Sequence, residues 1–150
     1  MKKALTIVVA ALLANLAPPG ASLNAAPLAT RVAAGTVTVT VHYKGKGTVD
    51  ASHKLWVWVF DTPNIGPGSM PIGQVSLDRN AIDAVFEGIA ADKVWVAVAF
   101  DESGGMMGDA PPPTGTPIGI LAGTDGAPVA VMSGAKDAVT LTFDDSQRMP

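Results

Sequence analysis

Three stretches of this chain leave little room for anything but β-structure: TVTVTVHY (36–43), KLWVWVF (54–60) and KVWVAVAF (93–100). The first alternates Val with Thr or His, the period of a strand with one buried face. The second is rich in β-branched and aromatic residues, which fit a pleated surface. The third is almost wholly apolar, as a strand covered on both faces would be. Shorter candidates follow at PIGQVSL (71–77), IDAVFEGI (82–89), PIGIL (117–121), APVAVMS (127–133) and DAVTLTF (137–143). KGKG, DRNA, GTDG and GAK supply turns between them. No helical period is sustained after residue 25. The expectation is an all-β fold, an antiparallel β-sandwich of seven or eight strands forming a single domain over 36–150. An apolar content of 48% argues against disorder.

The N-terminus reads differently. Lys2 and Lys3 precede the apolar run ALTIVVAALLANLA, which PPG ends, and small residues follow. That order is a cleaved signal helix over 1–25, with cleavage after Ala25, or after Ala21 as second choice. A linker over 26–35 leads into the domain. The run is shorter than the ~20 residues that cross a bilayer. With no cysteine there is neither a lipoprotein anchor nor a disulfide. The expected location is the periplasm or outside the cell, with no membrane anchor after cleavage. Losing Lys2 and Lys3 takes the basic count from 10 to 8 against 13 acids, a net charge of −5. Nucleic acid is excluded as a partner on that balance.

The chain echoes itself. KLWVWVFD leads through a Gly/Pro loop to PIG at 71–73, and KVWVAVAFD does the same to PIG at 117–119. Asp61 and Asp101 each stand where a strong strand gives way to such a loop. If the two strands run parallel, both loops share one end of the sandwich. Trp56 shares a face with Phe60, whereas Trp95 does not share one with Phe100.

GTVTVTVHYKG, FEGIAADKVWVAVAFDE and PVAVMSGAKDAVTLTF together resemble the carboxypeptidase regulatory-like, or transthyretin-like (prealbumin-like), domains of bacterial exported proteins. Phe86, Gly88, Ile89, Phe100 and Asp101 carry the match. The resemblance implies a transthyretin-like or immunoglobulin-like sandwich with a structural, binding or accessory role. Relatives often bear an Asp-x-Asn-Gly-Asn-Gly-like loop after the Asp, where this chain has DESGGMMGD.

Candidate chemistry centres on that loop. DESGG departs from the GDSGG of serine proteases, which need a histidine, a buried Asp and an oxyanion hole in fixed geometry: Glu102 precedes Ser103, and His42 and His53 are the chain's two histidines. Ser133–Lys136 sits in a turn, so its Ser-x-x-Lys is coincidental. Asp101, Glu102 and Asp109 offer oxygens to calcium, but without the six to eight ligands that ion wants. Met70, Met106 and Met107 suit Cu(I) less well, since no Met- or His-rich tract supports them. Trp56, Trp58, Trp95 and Tyr43 read as core more than as a sugar platform. The expectation is a non-enzymatic domain with no cofactor, binding an unidentified protein, glycan or small ligand through loops 61–70 and 101–117. Asp61, Met70, Met106 and Met107 are its partner-binding candidates. A divalent-metal site at Asp101, Glu102 and Asp109 is the alternative, and a small enzyme using loop carboxylates the remote one.

Overall fold

The computed structural model describes residues 34–66 and 68–150. The signal, its cleavage positions and most of the linker lie outside the described residues. No helix occurs among those described. Eight strands form in chain order: β1 (Gly35–Tyr43), β2 (Leu55–Phe60), β3 (Gly73–Leu77), β4 (Ile82–Ile89), β5 (Lys93–Phe100), β6 (Ile118–Ile120), β7 (Val131–Met132) and β8 (Val139–Phe143). They make two sheets, β4-β1-β8 and β3-β2-β5-β6, with β7 paired to the start of β5.

The alternation of β1 sets the first sheet. Val37, Val39, Val41 and Tyr43 are buried while the threonines between them are not. Ala84, Phe86 and Ile89 of β4 join them. The spacing from Phe86 to Ile89 breaks the period of two, which is why this segment alternates less cleanly. A bulge absorbs the extra residue: Val37 faces Phe86, yet Gly35 faces Ile89. Gly88 sits there at φ 73°, a left-handed conformation cheap only for glycine.

The sandwich is not purely antiparallel. β8 lies parallel to β1, with Val39 beside Val139 and Tyr43 beside Phe143. The physical reason is connectivity. A short turn can only join antiparallel neighbours, and here the whole second sheet intervenes between β1 and β8.

Leu55, Val57 and Val59 of β2 meet Val94, Val96, Val98 and Phe100 of β5 on the inner face of the second sheet. These pack against the first sheet as one continuous core. The Tyr43 ring lies 4.4 Å from Phe100 and 5.1 Å from Phe143. KGKG passes close beside them. A Cβ on Gly45 would strike Tyr43 and Asp145, and one on Gly47 would strike the Phe100 ring.

Candidate functional site

The outer face of the second sheet is also apolar. Register places Trp58 between Gln74 and Ala97, with Ile120 beyond, and Trp56 between Ser76 and Ala99, with Ile118 beyond. Phe60 stands opposite Trp95. Trp58, Phe60 and Ala99 are buried in a second cluster, with Trp56, Ile65, Ala97, Met106 and Ile118 packed on it. The valines, not the tryptophans, therefore face the sandwich core. The tryptophan face is covered instead by the chain's own loops. Both faces of β2 and β5 are apolar because both are covered.

The loop after β5 is fastened in three ways. Asp101 is buried, and its carboxylate accepts the Met106 N–H at 2.8 Å. That bond closes the first turn, through Gly104 and Gly105 at positive φ. Further on, the Trp58 indole N–H donates to the Gly108 carbonyl at 2.8 Å. Gly108, at φ 70°, lies flat on the six-membered ring of Trp56, where any Cβ would collide. The two indoles stack at 6.4 Å and 20°. Lastly, Arg148 clamps the loop, donating to Glu102 at 2.7 Å and to the Gly115 carbonyl at 2.6 Å. The chain's last residues run beside 114–118: Ile118 N–H donates to Gln147, Met149 N–H to Thr116, and Gly115 N–H to Met149.

These pieces leave a groove of about 630 Å³ on the outer sheet face. Its floor is Trp58, Phe60, Ala97, Ile118 and Ile120. One wall comes from the β2–β3 loop (Ile65, Ser69, Met70, Pro71), and the other from Asp109, Pro111 and Pro112 with Met149. Met70 is 82% exposed at the rim.

The sequence candidates divide. Asp61 and Asp101 are at opposite ends of the sandwich, so the shared-end expectation fails. β2 and β5 are neighbours and antiparallel: Leu55 faces Phe100 and Phe60 faces Trp95. The two loops nevertheless meet, across the sheet face rather than at one end. Met70 lines the groove, Met106 packs beneath its loop, and Met107 points to solvent. Asp61 is exposed and outside the groove. Of the oxygen ligands, Asp101 serves its own loop, Glu102 is held by Arg148, and Asp109 lines the groove. Among the described residues no three of His, Cys, Asp or Glu converge where an ion could bind. His53 rests 3.0 Å from Asp50 within its own turn. The floor residues Ala97, Ile118 and Ile120 were not among the candidates. The signal for Ala97 was the apolar run of 94–100, which required a cover on both faces.

A polar network marks the Asp101 end. The Tyr43 hydroxyl donates to Asp145, whose other oxygen accepts the Lys46 N–H at 2.9 Å. Burial first, then that bond, pushes the Tyr43 hydroxyl up to about 12. The Tyr43 hydroxyl and the Lys46 N–H together hold the Asp145 carboxyl below its usual range. The Glu102 bond raises the Arg148 guanidinium further.

The chain matches no protein-family model, no curated protein and no solved structure. The transthyretin-like resemblance thus rests on its sequence motifs alone.

Proposed function

We propose that this chain is an exported, non-enzymatic binding domain that takes a small apolar ligand into the groove on its outer sheet face. The observation that carries the reading is the groove itself. Its volume of about 630 Å³ lies within the ~300–1,000 Å³ range of small-molecule sites, and its lining is mainly apolar. The loops bury Trp58 and Phe60 but leave Ala97, Ile118 and Ile120 beside them only partly covered. Among the described residues Asp109 is the one ionisable side chain of the lining, which supports binding over catalysis, since acid–base or nucleophilic work needs a partnered group. The signal-like N-terminus supports export.

The test uses N-phenyl-1-naphthylamine, a neutral apolar dye that brightens on leaving water. Saturable brightening at one dye per chain, with quenching of tryptophan emission, is expected. Ala97→Phe adds a ring to the groove floor without entering the sandwich core. It should weaken dye binding at least about tenfold, or 1.4 kcal/mol, at an unchanged melting midpoint. Equal binding by the folded Ala97→Phe variant would sink the proposal.

A further inference from the structure

The chemistry of the groove lining narrows the class of ligand beyond what its shape does, given the reading that the groove binds one. Its polar groups are few. The Trp58 N–H is already given to Gly108. The Ser69 hydroxyl donates to the Asn64 carbonyl and accepts the Gly66 N–H, so it is occupied within its own turn. That leaves Asp109, exposed at the wall formed by the β5–β6 loop, as the only charged side chain of the lining among the described residues. None of the described Lys, Arg or His residues contributes to it.

We infer that the ligand is an amphiphilic organic cation: an apolar body lying on Ala97, Ile118 and Ile120, with an ammonium group beside Asp109. Charge complementarity decides this. An anionic head would meet the Asp109 carboxylate with no side-chain cation to offset it, on a chain whose formal net charge is −3. A cation gains from the carboxylate, whereas the Trp58 and Phe60 rings are buried beneath the groove and present little face to it. The thioethers of Met70 and Met149 are polarizable and adapt to an irregular apolar body. A neutral ligand gains only the apolar contact, so charge sets the preference and the apolar floor sets the base affinity.

Three probes sharing one tail separate these terms: octyltrimethylammonium, octanol and octyl sulfate, each titrated calorimetrically into the full chain. The expected order is cation, alcohol, sulfate, with the cation ahead of the alcohol by about three- to fivefold, the range of an exposed ion pair. Asp109→Asn should bring the cation level with the alcohol and leave the alcohol unchanged. Raising salt should weaken the cation alone. An alcohol that binds as tightly as the cation, or an Asp109→Asn variant that leaves the cation's advantage intact, would overturn the inference while the groove reading stood. If none of the three binds and none displaces the naphthylamine dye, both fall.

Discussion

Gly108 does two jobs that no other residue could combine. Its backbone lies on the Trp56 ring, and its carbonyl receives the Trp58 N–H. Gly108→Ala adds a methyl group where the indole already is, at a left-handed φ. A loss of about 1–3 kcal/mol is expected from overpacking and strain together, read by urea titration, along with loss of dye binding. The two tryptophans should differ as well. Trp58→Phe deletes a made hydrogen bond and strands the Gly108 carbonyl, so it should cost about 1–3 kcal/mol beyond the lost ring area. The Trp56 N–H has no acceptor among the described residues, so Trp56→Phe should cost less. Equal costs would mean that the Gly108 bond adds nothing. Tyr43 makes a prediction in pH. Its hydroxyl titrates near 10 unfolded and about 12 folded. The native state therefore holds the proton more tightly, and stability present below pH 10 is lost as pH rises through 12. Asp145 has the opposite sign, its carboxyl lowered. Its contribution is present above the ordinary carboxylate range and fades as pH falls through the depressed value. Tyr43→Phe should flatten the alkaline limb of a plot of melting midpoint against pH.

Among the strands and loops, the bulge in β4 and the clamp at Arg148 behave differently. Gly88→Val forces a β-branched residue into the left-handed position of the bulge. Registry between Phe86 and Ile89 depends on that bend, so the variant should melt several degrees lower. Arg148→Ala removes exposed ion pairs, and such pairs contribute little to global stability. The melting midpoint should hardly move. Amide exchange at Gly115, Ile118 and Met149 should quicken instead, because these N–H groups hold the last residues against 114–118. The strands themselves were legible in the sequence: β1, β2, β4 and β5 follow their hydrophobic alternation or apolar runs closely. β7 was not, since only Val131 and Met132 of APVAVMS pair with β5. Alternation shows which residues could form a strand, but pairing needs a neighbouring edge, which no local pattern encodes.

For the molecule as a whole, the sandwich could be read from the chain and its topology could not. The echo of KLWVWVFD in KVWVAVAFD suggested two strands pointing the same way. They are antiparallel neighbours, so Asp61 and Asp101 separate while their loops fold back and meet over Trp58 and Phe60. Local resemblance fixes what a strand is made of, whereas its direction is set by long-range pairing. The site was half legible for the same reason. Of the residues named from loop composition, Met70 and Asp109 line the groove whereas Asp61, Met106 and Met107 do not, and the floor belongs to strands whose second face looked like ordinary core. The carboxylates give one more expectation. Asp101 and Glu102 are engaged by Met106 and Arg148, so melts in calcium and in chelator should superimpose, and a rise of several degrees in calcium would show that the β5–β6 loop rearranges around an ion.

Mapping the naphthylamine dye by amide chemical-shift changes bears most directly on whether the groove is the binding site. The largest shifts should fall at Met70, Ala97, Gly108, Asp109 and Ile118–Ile120, with the Trp58 indole N–H moving alongside them. Shifts confined to β4, β1 and β8, or scattered without a centre, would mean that the groove between the two loops is not where this protein binds.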